Sequence, residues 1–232
     1  MLAERANVGL HDHLIDKVQD LTDDKTIRIF DIGCGSGAFL RRLADLGYTD
    51  LTGLDIEPPA LTGVKCIRAD LDEFDVTDEC PRVDLITAIE VVEHVENLGH
   101  FLSSASKLLK PNGLMLLTTP NLHSVEARLR FLASGNLKQF DEIGDPTHIA
   151  PIFRIPFKRA LMRHQFIVEK EWGFPLDGSS PTSRPVLRLL ARIVSRLGVP
   201  EVLAGDNLII LAQKSLDPWS QEQKRRSIIS HY

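Results

Sequence analysis

Hydrophobic and polar positions alternate in blocks along the first 120 residues, where short β-branched runs are followed by stretches with helical spacing. The helical spacing predicts helices over Ala38–Leu46, which Gly47 ends, and over Leu98–Leu109. The β-branched runs predict strands over Thr26–Ile32, Asp50–Asp55, Gly63–Ala69, Val83–Ile89 and Leu114–Thr119. This order predicts the α/β class, with a doubly wound and mostly parallel sheet whose crossovers are right-handed.

The regular alternation ends after Pro120. Beyond it the pattern predicts helices and strands over Ser124–Ala133, Phe157–His164, Gln165–Trp172, Pro185–Leu197 and Asn207–Ala212. Because long irregular connections in compact domains are often functional, we expect residues 121–156 and 173–205 to be lid segments over a ligand site. The sheet and the lids are predicted to form a single domain over residues 1–216, followed by a polar tail over 217–232.

Composition and charge exclude several classes of protein. With 43% hydrophobic and 25% charged residues, the chain has the balance of a globular domain rather than that of a collagen-like or disordered protein. The net charge of −5 argues against non-specific binding of long stretches of nucleic-acid backbone. Three cysteines without a C-x-x-C pair, and no apolar run typical of a signal peptide or a membrane span, predict a cytoplasmic protein.

A glycine-rich loop carries the strongest chemical signal. It runs from Asp31 to Gly37 (DIGCGSG), between a predicted strand and a predicted helix. Alternate glycines let the backbone approach a ligand closely, and the start of the helix presents unpaired N–H groups to it. Asp31 is suited to hold an ammonium group, and Asp55, at the end of the second strand, is suited to accept ribose hydroxyls. A bound nucleoside is therefore favoured over a tight turn without a ligand.

A second group of polar residues, Glu90, Glu93 and His94, follows the fourth strand. If Glu90 begins a helix, positions i, i+3 and i+4 share one face and point together at the carboxyl edge of the sheet. Two carboxylates and an imidazole suit a divalent cation, and a histidine there is also suited to act as a general base. Two other roles stay open, the lining of a pocket without metal and the capping of a helix.

The loop spacing G-x-G-x-G, preceded by an acid, resembles motif I of the class I S-adenosylmethionine-dependent methyltransferases. Gly53–Ile56 resembles their second motif, Ala69–Leu71 the third, and the resemblance covers roughly residues 25–120. It implies a seven-stranded, Rossmann-like sheet whose last strand, here Asn207–Ala212, is antiparallel. It implies S-adenosylmethionine as the cofactor, bound by Asp31, Gly33, Cys34, Gly35, Gly37, Asp55, Ile56, Asp70, Leu71 and Ile89. A solvated loop position is the alternative for Asp70.

The run from Glu90 to His94 resembles a Glu-x-x-Glu-His run in two methyltransferase groups that place a metal on it. These are the ubiquinone-biosynthesis O-methyltransferases and the small-RNA 2′-O-methyltransferases. Asp145–Ile149 and Gly205–Leu208 resemble further stretches of the ubiquinone enzymes. The resemblance implies a divalent metal such as Mg²⁺ on Glu90, Glu93, His94 and His148, with Glu93, His94 and His148 as catalytic residues. Similar runs in methyltransferases that need no metal keep the metal-free alternative open.

The resemblance, together with these residues, implies methyl transfer to an oxygen of a small-molecule or lipid-linked acceptor, covered by the two lid segments, with a nitrogen acceptor less favoured. The alternatives are a non-catalytic module that binds S-adenosylmethionine or another nucleoside, and an RNA 2′-O-methyltransferase. The loop spacing disfavours a dinucleotide-dependent oxidoreductase, because those proteins use G-x-G-x-x-G. The oligomeric state is not predicted.

Two surface features complete the predictions. Arginines recur at every turn of the helix predicted within residues 184–198, at Arg184, Arg188, Arg192 and Arg196. This stretch is predicted either to pack on the sheet with its arginines solvated or to contact the inner membrane surface peripherally. Histidines without a partner motif, among them His11 and His13, are predicted to be surface residues.

Overall fold

The computed structural model describes residues 6–74, 81–175 and 200–222. The helices are α1 Leu10–Leu21, α2 Ala38–Asp45, α3 Leu98–Leu108, α4 Val125–Ser134 and α5 Arg154–Arg163, and Glu201–Leu203 forms a 3-10 turn. The strands are β1 Arg28–Ile32, β2 Asp50–Asp55, β3 Lys65–Arg68, β4 Val83–Ile89, β5 Leu109–Pro120, β6 Phe166–Phe174 and β7 Asn207–Lys214.

The strands form one seven-stranded sheet in the order β3-β2-β1-β4-β5-β7-β6. Neighbouring strands from β3 to β5 are parallel, whereas β7 runs antiparallel to both β5 and β6. The predicted α/β class, the number of strands and the antiparallel last strand are therefore confirmed. The strand order reverses between β1 and β4, and this reversal creates a crevice at the carboxyl edge of the parallel strands.

β5 is longer than predicted. Leu109 pairs with Val83, and the register shifts before Leu85 pairs with Leu114. Residues 110–113, which lie between the predicted helix and the predicted strand, are thus an irregularity within a strand that has already begun. α5 also begins earlier than predicted, because Pro156 fits the first turn of a helix, where its missing N–H needs no partner.

Helix α1 is absent from the predicted elements. Leu10, Leu14 and Val18 are fully buried, and their four-residue spacing was the sequence signal for this helix. The indole Nε1 of Trp172 donates to Nε2 of His13 at 2.9 Å and ties the helix to β6. α1 thus belongs to the packed domain.

Two buried clusters lie on opposite faces of the sheet. Leu116 and Leu117 belong to different clusters, because successive side chains of a strand point to opposite faces. One cluster includes residues of α3 and α5, and the other includes residues of α1 and α2. Both faces are therefore covered, as expected for a largely parallel sheet.

Several predictions fall on residues that the structure does not describe. Arg184, Arg188, Arg192 and Arg196 lie outside the described residues, as does most of the predicted lid over 173–205. Within the described ranges, no helix combines the length and the apolar character that crossing a membrane requires.

Candidate functional site

A cavity of about 840 Å³ opens at the carboxyl edge of the sheet, beside the reversal between β1 and β4. Its volume is within the range of small-molecule sites. One part is lined by eight of the predicted cofactor residues, namely Asp31, Gly33, Cys34, Gly35, Asp55, Ile56, Leu71 and Ile89. The other part is lined by Glu90, His94, His148 and further residues between 130 and 147. The donor-side and acceptor-side candidates therefore share one cavity.

The glycine loop has the backbone that its sequence predicts. Gly33 and Gly35 are in the left-handed region, with φ of 68° and 51°, where side chains are disfavoured. A Cβ atom at Gly35 would have no protein atom within 4 Å, so it would enter the open cavity. The backbone N–H of Gly35 donates to Oδ2 of Asp55 at 2.8 Å. Asp55 thus holds the loop while it faces the cavity.

Gly37 and Asp70 do not line the cavity. Gly37 is the N-cap of α2, and a Cβ atom there would overlap Leu61, so its lack of a side chain allows that packing. The Oδ1 atom of Asp70 accepts a hydrogen bond from the backbone N–H of Asp72 at 3.0 Å. Both residues retain a local structural role in the absence of cofactor.

Asp31 is buried beside the glycine loop. Its Oδ1 atom accepts a hydrogen bond from Oγ1 of Thr87 at 2.6 Å. Burial raises the pKa of Asp31 to about 7; the bond from Thr87 opposes this rise, and the charge of Asp55 adds to it. A cationic ligand group nearby would favour the ionised form.

His11 is not the surface residue that the sequence predicted. It is 7% exposed, its ring packs edge-on against Phe39 at 5.5 Å between centroids, and it lines the cavity with Asn7. Nδ2 of Asn7 donates to Oδ1 of Asn207 at 2.6 Å, so the start of α1 is held against β7. The prediction failed because α1 was missed, since on that helix His11 adjoins the buried positions.

Glu90 does not begin a helix, so the expected i, i+3, i+4 face does not form. Its φ of 54° is left-handed, and a turn follows in which the N–H of His94 donates to the carbonyl of Val91. Oγ1 of Thr118 accepts from the backbone N–H of Glu90 at 3.0 Å and donates to its Oε1 at 2.7 Å. These two hydrogen bonds attach Glu90 to β5, and its left-handed backbone excludes a helix that begins there.

Glu93, His94 and His148 nevertheless come together. Each offers a ligand atom, and these atoms lie within 4.8 Å of one another; Glu90 is not among them. The two imidazole rings are edge-on at 4.7 Å between centroids. Glu93 is fully buried, and neither of its carboxylate oxygens has a hydrogen-bond partner within the described part of the chain. Burying carboxylate oxygens without a hydrogen-bond partner destabilises the fold unless a proton or a cation neutralises the charge.

The hydrogen bonds of the two histidines assign their tautomers. Nδ1 of His94 lies 3.0 Å from the carbonyl oxygen of Thr147, and Nδ1 of His148 lies 3.0 Å from that of Gln139. A carbonyl oxygen only accepts, so each Nδ1 carries a hydrogen, and in the neutral ring the lone pair is then on Nε2. This is the arrangement in which a histidine ligates a metal through Nε2 or accepts a proton there.

Electrostatics at the site follow from burial. Burial raises the pKa of Glu90 and of Glu93, and the charge of Glu90 raises the pKa of Glu93 further. Imidazole nitrogens and a carboxylate oxygen form a donor set that several divalent metals accept. The three side chains of the cluster thus fit a divalent cation, and the orphaned oxygens of Glu93 are the observation that supports this fit.

Comparisons with known proteins identify relatives of this chain. A family model described as a methyltransferase domain matches residues 7–168. The ubiquinone biosynthesis O-methyltransferase of Azorhizobium caulinodans is 37% identical over 109 residues, 42% of this chain and 42% of that protein. The same-named protein of Neisseria meningitidis is 28% identical over 149 residues, 60% of this chain and 62% of that protein.

The fold is shared with solved structures of low sequence identity. A SAM-dependent methyltransferase from Archaeoglobus fulgidus superposes with a TM-score of 0.61 at 21% identity, covering 88% of this chain and 93% of that one. The chain spans about two fifths of the length of the first curated relatives that it matches. The match of the family model over most of the domain and the sheet topology lead to one assignment. The chain belongs to the class I S-adenosylmethionine-dependent methyltransferase family.

Proposed function

We propose that this protein transfers the methyl group of S-adenosylmethionine to an oxygen of a small-molecule or lipid-linked acceptor. The observation that carries the proposal is the single cavity lined both by the glycine loop with Asp55 and by His94 and His148. The partial similarity to ubiquinone biosynthesis O-methyltransferases supports a small-molecule acceptor with a hydroxyl group.

On the donor side, S-adenosylmethionine would supply a methyl group activated by a sulfonium. Asp55 would accept hydrogen bonds from ribose hydroxyls, and Asp31 would accept one from the ammonium group. Ile56, Leu71 and Ile89 give this part of the cavity apolar surface for the adenine. Asp70, beside Leu71 in the chain, is proposed to approach the adenine amino group. Holding the donor in line with the acceptor oxygen supplies most of the catalysis.

On the acceptor side, the hydroxyl must lose a proton as the oxygen attacks. His94 and His148 are suited to take that proton at Nε2, because a backbone carbonyl occupies each Nδ1–H. A divalent cation such as Mg²⁺ would instead lower the pKa of the hydroxyl. Glu93, His94 and His148 would hold it, and Glu90 would join them only after leaving Thr118.

A methyl-transfer screen tests the proposal. Quinone-like phenols, lipid-linked sugars and RNA 3′ ends are offered as acceptors, with and without a chelator, and S-adenosylhomocysteine affinity is measured in parallel. We expect a phenol or a lipid-linked acceptor to be methylated. Glu93→Ala should remove most turnover and leave S-adenosylhomocysteine affinity nearly intact, because the donor binds through other residues.

The screen separates the roles of the cluster. Loss of activity with a chelator and recovery with Mg²⁺ or Mn²⁺ would support the metal. Activity that survives chelation but not His94→Ala would instead assign a metal-free general base. Binding of S-adenosylhomocysteine without turnover of any acceptor would contradict the proposal and favour a binding module.

A further inference from the structure

We propose that the turn Leu137–Phe140 is a positioning element for His148. We also propose that residue 144 is a glycine because only glycine leaves room for the carbonyl group of that turn. The backbone carbonyl of Gln139 holds the hydrogen of the neutral His148 ring on Nδ1 and so leaves the lone pair on Nε2, in the ring that lies beside Glu93 and His94. The importance of that nitrogen rests on the proposed function, whereas the tautomer itself can be measured independently of it.

The backbone of Gln139 is in an unfavourable conformation. Its φ of 68° lies in the left-handed region, which a side chain with a Cβ atom disfavours. Such a conformation persists where the surroundings fix it, and it is concentrated at functional sites. At Gln139 it is found together with the contact between the Gln139 carbonyl and Nδ1 of His148, at 3.0 Å. Gln139 itself lines the cavity.

Gly144 lies against the same peptide group. A Cβ atom at Gly144 would be 2.5 Å from the carbonyl oxygen of Gln139 and 2.7 Å from its carbonyl carbon. The backbone of Gly144 is outside the left-handed region, so its own conformation does not demand glycine. The space for the carbonyl of Gln139 is therefore the reason for glycine at this position.

The residue before Gln139 anchors the turn in the interior. Lys138 is 4% exposed, and its Nζ lies 2.6 Å from Oδ1 of Asp206 and 3.1 Å from Oε1 of Glu126. Both carboxylates are buried as well, so the ion pairs are held in a region of low dielectric, where their geometry is fixed. The turn is thus tied to the start of β7 and to α4 while Gln139 reaches His148.

The ring of His148 also contacts a neighbouring ring of the same turn. The Phe140 ring lies 5.4 Å from that of His148, and the N–H of Phe140 donates to the carbonyl of Leu137 at 3.2 Å. A histidine that is packed on one face and hydrogen-bonded at Nδ1 presents Nε2 in a single direction. The turn and Gly144 thus act on Glu93 and His94 through His148.

Long-range ¹H–¹⁵N spectra of the histidine rings in the full chain test this inference. The protonated and the bare ring nitrogens give separate signals, and His148→Gln identifies the signals of His148 by their loss. We expect the Nδ1–H tautomer in the wild-type chain. A wild-type spectrum with the hydrogen on Nε2 overturns the proposal without any further variant.

Two glycines of the same segment provide the matched comparison. Gly144→Ala should displace the Gln139 carbonyl, so that His148 is no longer exclusively in the Nδ1–H tautomer. The affinity for S-adenosylhomocysteine should stay within about twofold of that of the wild type. Gly135→Ala is the control, since Gly135 is left-handed at φ 74° but has no atom within 4 Å of its Cβ position. It should leave the His148 signals unchanged.

A third variant keeps the test decisive if Gly144→Ala does not fold. Gln139→Gly keeps the carbonyl and tolerates the left-handed backbone, so it should retain the tautomer. Three results would contradict the inference. The first is unchanged His148 signals in folded Gly144→Ala, and the second is a change of tautomer in Gly135→Ala. The third is loss of the Nδ1–H tautomer in Gln139→Gly. Failure of the proposed function would be seen as absent methyl transfer with the tautomer intact, so the two failures are distinguishable.

Discussion

Asp31 shows how burial of one carboxyl group prepares a site for a cation. Its pKa in the fold is raised to about 7, above that of an aspartic acid in the unfolded chain. The folded chain therefore binds the proton more tightly, and the contribution of Asp31 to the free energy of unfolding falls as the pH rises from about 4 to about 7. A ligand ammonium beside the carboxylate would offset this cost, so ligand binding and the ionisation of Asp31 are linked.

The affinity for S-adenosylhomocysteine should therefore depend on pH. We expect its dissociation constant to be about tenfold higher at pH 6 than at pH 8, because below pH 7 the carboxyl group of Asp31 must first lose its proton. Asp31→Asn keeps an acceptor for Thr87 but carries no charge, so binding should be weaker and nearly independent of pH. Titration calorimetry at the two pH values measures this, and equal wild-type affinities would rule out Asp31 as the ammonium partner.

At the scale of elements, the unit from β1 through the glycine loop to α2 forms the part of the cavity that we propose for the methyl donor. The N–H groups of Gly33 and Cys34 donate to the carbonyl of Leu54 at 2.8 and 3.0 Å, so the loop is fastened to the end of β2. The loop therefore carries Gly35 into the cavity on a rigid support, and the free space above Gly35 is available to a ligand.

Changes at two left-handed glycines separate the effect of ligand contact from the effect on stability. Gly35 and Gly47 both have a positive φ, and neither has an atom within 4 Å of its Cβ position. Gly35 lines the cavity, whereas Gly47 follows α2 away from it. Each change to Ala should cost about 1 kcal/mol of unfolding free energy. Only Gly35→Ala should weaken S-adenosylhomocysteine binding, by tenfold or more, as measured by calorimetry. Equal affinities would show that the cofactor does not approach the loop.

At the scale of the whole molecule, the strand order decides where the site forms. The reversal between β1 and β4 opens the crevice, and the antiparallel β7 brings Asp206 and Asn207 to its edge. Asn207 contacts Asn7 at the start of α1, and Asp206 contacts Lys138 of the acceptor-side segment. The start of α1 and the segment that contains Lys138 are thus both attached at the start of β7.

Binding of S-adenosylhomocysteine should stabilise the whole domain by mass action. At a ligand concentration one hundred times the dissociation constant, the unfolding free energy should rise by about 2.7 kcal/mol. Asp55→Ala removes hydrogen bonds to the ribose and should weaken binding tenfold or more, so the gain at the same concentration should fall to about 1.4 kcal/mol or less. Urea unfolding with and without ligand measures both gains. An undiminished gain in the folded variant would show that Asp55 is not part of the donor site.

Local sequence patterns determined the sheet strands, the left-handed glycine loop and the placement of Asp55, because strand periodicity and glycine conformation depend on near neighbours. Tertiary contacts decided the rest. Glu90, hydrogen-bonded to Thr118 of β5, has a left-handed backbone that excludes the expected helix, and packing buries His11. His148 reaches Glu93 and His94 because the N–H groups of Ile149 and Ala150 both donate to the backbone carbonyl of Glu93, at 2.9 Å. Such contacts join residues far apart in the chain, and no local spacing encodes them.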